Sequence, residues 1–155
     1  MYQKILVPLD GSEMAECVLP HVEAIAQGCN AGSVLFVRTA EPVTSLTGGE
    51  EFAFGADTWR QIEAENRAKA SKYLEQLVGR VKYDGVKVNS DVLAGRPADS
   101  IVDYAEKHGV DLIIIATHGR SGVSRWVLGS VADRVLRTAC VPVMMVRSPG
   151  CIPGI

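Results

Sequence analysis

The chain has 155 residues, of which 47% are hydrophobic and 22% are charged, and its formal net charge is −2 at pH 7. These values predict one globular domain, and the small negative charge argues against nucleic acid as a partner. No apolar stretch reaches the roughly 18 residues of a membrane-spanning helix, so no membrane partner is expected. Cysteines 17, 29, 140 and 151 show no C-x-x-C or metal-ligand spacing, which favours reduced thiols in the cytosol. The first four residues lead directly into a strand, so no signal peptide is expected.

The first half of the chain is predicted to alternate between strands and helices. Lys4–Leu9 is a short apolar strand. Ser12 is suited to cap a helix that runs towards Gln27 and stops at Gly28, and Pro20 is expected to kink this helix. The next elements are a strand over Ser33–Thr39, a surface loop over Glu41–Asp57 and a helix over about Thr58–Lys82.

The second half continues the same alternation. Residues over Val86–Val92 alternate between apolar and polar types, which predicts a third strand, and the following helix is ended by Gly109. The unbroken apolar run in Asp111–Ala116 is typical of a strand that is buried on both faces. The last elements are a helix from Ser130 to about Thr138 and a strand over Val141–Arg147. This order predicts an α/β fold, with a five-stranded parallel sheet and helices on both faces.

The segment between the fourth strand and the last helix has the features of a phosphate-binding loop. Ser130 and Asp133 have the spacing of a capping box, which predicts that a helix begins near Val131. Main-chain N–H groups at such a helix start have no intrahelical acceptor and lie at the positive end of the helix dipole. The glycines and arginines that accompany this helix start are Gly119, Arg120, Gly122, Arg125 and Gly129. The arrangement suits a bound phosphate, although Gly-Ser before a helix is also a common cap in proteins that bind no ligand.

The same segment resembles the universal stress protein family. In its nucleotide-binding branch, a G-x-x-G turn is followed by nine residues and then G-[S/T]. Here the turn is Ala116-Thr117-His118-Gly119, and nine residues separate it from Gly129-Ser130. The resemblance also covers Ile5–Ser12, Gly95-Arg96-Pro97 and Val141–Val146. Ala116 replaces the first glycine, a change that is tolerated if its φ is negative and strained if its φ is positive.

The resemblance implies a Rossmann-like domain over residues 1–147 with sheet order 3-2-1-4-5, followed by an irregular tail over residues 148–155. It also implies a cytoplasmic protein that binds ATP with Mg²⁺. The family's members dimerise through the last strand, here Val141–Arg147, which would cover an exposed apolar edge. Because the sequence has neither a P-loop lysine nor a recognisable catalytic set, we expect a regulatory protein with little or no hydrolysis, not an enzyme.

In open α/β sheets the ligand lies where the strand order reverses, outside the carboxyl ends of the strands. The implied order places the reversal between strands one and four. Main-chain groups of Gly119, Gly129, Ser130 and Val131 would hold the phosphates there, and Arg120 would offset their charge.

The loop after the first strand would bind the remainder of the nucleotide. Asp10 suits a ribose hydroxyl or, through water, Mg²⁺, but it would equally suit an Asx turn or a helix cap. The resemblance puts Pro8, Val37 and Arg38 beside the base. The expected binding set is completed by Leu9, Ala116, Thr117, His118 and Gly122. The alternative is an interaction protein that keeps the fold but binds no nucleotide.

Overall fold

A computed structural model describes residues 1–40, 56–117 and 129–147. The strands are β1 (Lys4–Pro8), β2 (Ser33–Ala40), β3 (Lys87–Ala94), β4 (Leu112–Thr117) and β5 (Val143–Arg147). The helices are α1 (Leu19–Gly28), α2 (Ala56–Arg80), α3 (Pro97–Lys107) and α4 (Ser130–Thr138). All four strand pairings are parallel, and the sheet order is β3-β2-β1-β4-β5. The predicted fold class and sheet order are therefore confirmed.

Two hydrophobic clusters cover the two faces of the sheet. Because successive side chains of a strand point to opposite faces, Ile5 and Val7 belong to the first cluster with α1 and α2, whereas Leu6 belongs to the second with α3 and α4. Every residue of β4 is buried, as expected for a central strand covered on both sides. No helix among the described residues combines the length and apolar character needed to cross a membrane.

The segment after β1 differs from the prediction of one kinked helix. A 3₁₀ turn over Ala15–Val18 comes first, and the main-chain N–H of Ala15 donates to Ser12 Oγ at 3.1 Å. Pro20 then lies in the first turn of α1. N–H groups in the first turn make no intrahelical hydrogen bond, so the missing N–H of proline costs the helix nothing there. The predicted kink at Pro20 is wrong because the proline lies in the first turn of a helix instead of interrupting one.

Strands β4 and β5 each begin slightly later in the chain than the sequence predicted. β5 begins at Val143 instead of Val141, since Pro142 has no N–H to donate to a ladder. Its carbonyl still accepts the main-chain N–H of Ile113 at 3.0 Å. Asp111 lies just before β4, where its carboxylate accepts the main-chain N–H groups of Gln3 and Lys4 at 2.8 and 3.1 Å. This carboxylate joins β1 to β4 at their amino ends.

Candidate functional site

The strand order reverses between β1 and β4, and these two strands separate towards their carboxyl ends. Register pairs between them are confined to Ile5 with Leu112 and Leu6 with Ile113. Beyond these pairs, the ladders of the described residues join the end of β1 to β2 and the end of β4 to β5. The gap in pairing between the two central strands therefore marks the crevice, at the carboxyl end of the sheet, in which α/β proteins bind their ligands.

The turn after β1 forms one side of this crevice. Asp10 Oδ1 accepts the main-chain N–H of Ser12 at 2.8 Å and its hydroxyl at 2.6 Å. Gly11 between them has φ +87°, a conformation that glycine adopts without strain. The structure thus confirms the Asx turn that was one alternative for Asp10. The carboxylate is exposed, so the turn also presents a negative charge at the crevice.

Arg38 lies beside the same turn, at the carboxyl end of β2. Its guanidinium carbon is 5.3 Å from the centroid of the Tyr73 ring. A Cβ atom built on Gly11 would lie 2.6 Å from Arg38 Nη1, so the guanidinium packs directly against the glycine backbone. We refer to Gly11, Arg38 and Tyr73 as the arginine clamp.

Glu16 and Arg80 extend the arginine clamp, and the sequence alone did not indicate either of them as part of the site. The Tyr73 hydroxyl donates to Glu16 Oε1 at 3.0 Å, and Arg80 Nη2 donates to Glu16 Oε2 at 2.8 Å. Burial, followed by the hydrogen bond and charge of Glu16, raises the pKa of Tyr73 well above its ordinary value. No short-range spacing could reveal these contacts, because Tyr73 and Arg80 lie 57 and 64 residues from Glu16.

The start of α4 is the other predicted phosphate-binding segment that the structure describes. Gly129 is its N-cap, and the first helical hydrogen bond runs from the Asp133 N–H to the Gly129 carbonyl at 2.9 Å. The N–H groups of Ser130, Val131 and Ala132 therefore have no intrahelical acceptor. Ser130 is exposed, which leaves this helix start open to a ligand.

The predicted capping box at Ser130 and Asp133 is wrong. Ser130 is the first helical residue, and no side-chain hydrogen bond caps α4. Because Gly129 occupies the N-cap, Asp133 lies one position beyond the place from which a capping-box side chain reaches back. Its Oδ2 atom instead accepts a hydrogen bond from Arg137 Nε at 2.9 Å.

Ala116 is compatible with its place in the family motif. It lies within β4, paired with Val146, and among the described residues Asn30 is the one non-glycine residue with a positive φ. The alternative of a strained alanine is therefore excluded. The Ala116 side chain is 7% exposed and belongs to the first hydrophobic cluster, so its methyl group fills the core.

Several predicted site residues approach the crevice by their backbone alone. The side chains of Leu9, Val37 and Thr117 are buried. The Leu9 N–H donates to the Val37 carbonyl at 2.8 Å, and the Thr117 hydroxyl donates to the Val146 carbonyl at 3.4 Å. Pro8, the last residue of β1, is also buried. These groups shape the floor of the crevice instead of offering side chains to a ligand.

Part of the predicted site lies outside the described residues. This part comprises His118, Gly119, Arg120 and Gly122, together with Arg125. The predicted loop before α2 lies there almost entirely, as does the tail over 148–155. Within the described ranges, no group of three or more His, Cys, Asp or Glu side chains could hold a metal ion. Mg²⁺ commonly keeps several waters and binds through one or two carboxylates plus phosphates, so Asp10 fits an outer, water-mediated contact.

A separate cavity contains none of the predicted site residues. It has a volume of about 380 Å³ and lies between the start of α1 and the end of α2. Tyr83 lines this cavity, and its buried hydroxyl has no hydrogen-bond partner among the described residues. Burial, with a smaller contribution from Glu23, raises the pKa of Tyr83 to about 12.

The family model of the universal stress protein family matches residues 1–147. This chain belongs to the universal stress protein family. It is 33% identical to universal stress protein MJ0531 of Methanocaldococcus jannaschii over 150 residues, which are 96% of this chain and 84% of the relative. The solved structure of MJ0577 from the same organism has a TM-score of 0.79 and 29% identity, and the match covers 97% of this chain and 99% of that one.

Two more distant structures of the same fold contain adenine nucleotides. One is a universal stress protein in complex with cAMP, with a TM-score of 0.57 and 20% identity over 95% of this chain and 98% of that one. The other is a family member from Arabidopsis thaliana with AMP bound, with a TM-score of 0.65 and 18% identity over 96% and 93% of the two chains. At these identities the likeness to this chain is one of fold.

Proposed function

We propose that this protein binds ATP, with Mg²⁺, in the crevice between the carboxyl ends of β1 and β4, and that residues 1–147 form the binding domain. The short β1–β4 ladder carries the proposal, because it opens the sheet at the point where the strand order reverses. The Asp10 turn comes after β1 in the chain, and the start of α4 is the next described segment after β4. Each offers the chemistry that one part of a nucleotide needs.

The phosphates would lie at the start of α4. The N–H groups of Ser130 and Val131 have no intrahelical acceptor and lie at the positive end of the helix dipole. Gly129 has a backbone conformation of φ −49° and ψ 137° and no side chain, so a phosphate would approach closely. The family motif adds Gly119 and Arg120 as further partners for the phosphate oxygens.

Asp10 would accept a ribose hydroxyl or contact Mg²⁺ through water. Its Oδ1 atom already fixes the turn, so the turn is formed before the ligand arrives. The base would lie near Pro8, Val37 and Arg38, where main-chain groups line the end of the sheet. The cAMP and AMP complexes of the two more distant structures support this proposal, because they demonstrate that the fold can hold an adenine nucleotide.

The proposed assembly is a cytoplasmic homodimer that is joined through β5 and regulated by its bound nucleotide. Val143, Met144 and Met145 are half-buried on this last strand of the sheet. A second copy would cover these apolar side chains and pair with the open edge. We propose regulation with little or no hydrolysis, because the sequence offers no P-loop lysine and no evident residue to position an attacking water.

Thermal unfolding in the presence of ATP and Mg²⁺ tests the binding proposal. A ligand that binds the native state raises the free energy of unfolding by RT ln(1 + [L]/Kd). We expect the melting temperature of the unaltered protein to rise at millimolar ATP. Gly129→Val is expected to abolish the rise without unfolding the protein, because its φ is negative while the new side chain blocks the phosphates.

Gly28→Val is the matched control. Gly28 ends α1, and a Cβ atom there meets no other atom within 4 Å. This variant should respond to ATP like the unaltered protein. If the unaltered protein shows no shift, the alternative of an interaction protein without a nucleotide site is favoured. If Gly129→Val binds ATP normally, the assignment of the phosphates to α4 is wrong.

A further inference from the structure

The arginine clamp holds the turn that would contact the nucleotide. The Arg38 guanidinium lies against Gly11, where an added Cβ would come within 2.6 Å of Nη1 and 2.8 Å of Cζ. Tyr73 contributes its ring, with a distance of 5.3 Å from the guanidinium carbon to the ring centroid. A planar cation over an aromatic face gains electrostatic attraction. Arg38 thus joins the β1 turn to α2.

The clamp is also anchored at its outer end. Glu16, in the 3₁₀ turn, accepts hydrogen bonds from the Tyr73 hydroxyl at 3.0 Å and from Arg80 at 2.8 Å. Asp10 directly precedes Gly11 in the clamped turn, and its negative charge makes a small contribution to the raised pKa of Tyr73. The side chains therefore form a continuous series of contacts from the β1 turn to the end of α2.

Arg38 is held differently from three arginines that form close ion pairs. Arg80, Arg134 and Arg137 each donate to a carboxylate at 2.8 to 2.9 Å. Arg38 is half-buried and makes no ion pair with another residue in the part of the chain that the structure describes. Its guanidinium group instead contacts the backbone of Gly11 and the ring of Tyr73, so it is held by packing and stacking.

We propose that Arg38, which contacts both Gly11 and Tyr73, is a positioning residue that holds the Asp10–Ser12 turn in the shape that receives the nucleotide. The inference rests on the proposed function, since it assigns the turn to ligand binding. A residue that acts on the turn should affect every nucleotide that uses Asp10 and should also change the exchange of the Ser12 amide, which a residue that only contacts the base would leave unchanged. A residue that binds phosphate directly should instead affect ATP far more than AMP.

NMR of the unliganded protein tests the clamp without any nucleotide. The Tyr73 ring should shift the Arg38 Hε resonance, and the Ser12 amide should exchange slowly because it donates to Asp10 Oδ1. Arg38→Met and Tyr73→Leu should both accelerate Ser12 exchange. Tyr73→Phe keeps the ring, so it should preserve both the Hε shift and the slow exchange. Arg67→Met, at an exposed position of α2, is the matched control and should change neither.

Binding measurements with ATP and AMP complete the test. Arg38→Met and Tyr73→Leu should raise the Kd for both nucleotides by the same factor, about threefold to tenfold. Tyr73→Phe should stay within about twofold of the unaltered protein. Circular dichroism verifies that each variant is folded, and the two Tyr73 variants decide the question if Arg38→Met does not fold.

Two results would overturn the inference. Unchanged Ser12 exchange in folded Arg38→Met or Tyr73→Leu would show that the clamp does not hold the turn. A loss confined to ATP would identify Arg38 as a direct phosphate partner. If the unaltered protein binds neither nucleotide, the proposed function fails. The exchange rates would then contradict the clamp or support it on their own.

Discussion

The two edge strands of the sheet differ in how they meet their surroundings. β3 carries polar residues at exposed positions, among them Lys87 and Asp91, and Asp91 Oδ1 accepts the main-chain N–H of Val92 at 2.8 Å. β5 has four consecutive apolar residues over Val143–Val146. Charged side chains and occupied main-chain donors protect an edge against further pairing. One edge of this sheet is protected, whereas the other is suited to pairing.

The largest effect is expected from a charge introduced on the apolar edge strand, β5. Val143→Lys should place a charge in the proposed dimer interface and weaken the dimer by about a hundredfold or more. Val88→Lys is the matched change, because Val88 is a half-buried valine on the other edge strand, and it should leave the dimer intact. Sedimentation velocity at micromolar concentration measures both. A monomeric unaltered protein, or equal effects of the two changes, would contradict the comparison.

A change in the turn after β1 separates fold stability from edge pairing. Gly11→Ala should lower the free energy of unfolding by about 1–3 kcal/mol, because φ is +87° and the new methyl group would meet Arg38. The oligomeric state should not change. Urea unfolding provides the measurement, and Gly28→Ala, where a Cβ has open space, is the control. Equal stability of the two variants would show that the turn is not constrained.

A smaller effect is expected from removing the Asp91 side chain, whose hydrogen bond to the Val92 N–H protects the edge of β3. Asp91→Ala should remove the acceptor for the Val92 N–H and lower the free energy of unfolding by about 0.5–1 kcal/mol. It should also increase self-association at high concentration, because one more main-chain donor of the edge becomes available. Light scattering and amide exchange of Val92 measure the two effects. Asp91→Asn retains an oxygen acceptor, and if it self-associates like Asp91→Ala, the hydrogen bond is not what protects the edge.

The smallest effect is expected at Tyr83, which lies on neither of the two edge strands. Tyr83→Phe removes a buried hydroxyl that has no partner among the described residues, so stability at pH 7 should change by no more than about 1 kcal/mol. The pKa of Tyr83 is raised from 10.0 to about 12, so the unfolded state loses the proton first. Its contribution should be fully present below pH 10 and be lost as the pH rises through about 12. Urea unfolding measures the free energy of unfolding at pH 9 and at pH 11. Its decrease between these two pH values should be smaller for Tyr83→Phe than for the unaltered protein.

Much of the fold was predictable because it depends on local patterns. The apolar run in β4 and the alternation in β3 indicated strands, since burial on two faces or one face leaves different periodicities. Boundaries differed by about two residues where a local signal competed with pairing, as at Pro142. The sheet order came from the resemblance to the family, because periodicity carries no information about which strands are neighbours.

The candidate site was predictable in part for the same reason. Asp10 and Ser12 lie two residues apart, so their turn was among the alternatives that the sequence offered. The start of α4 was placed near the correct residue, but the capping box was wrong, because the N-cap lies at Gly129 and not at Ser130. A shift of one residue changes which side chain can reach back to the helix start.

The sequence by itself determined where strands and helices form and which loops are rich in glycine, because these depend on neighbours within a few residues. Tertiary structure alone decided that β1 and β4 separate after two register pairs, and that Arg38 contacts both Gly11 and Tyr73. These contacts join residues far apart in the chain. Their geometry depends on how the helices pack against the sheet, and no pattern along the sequence encodes that distance.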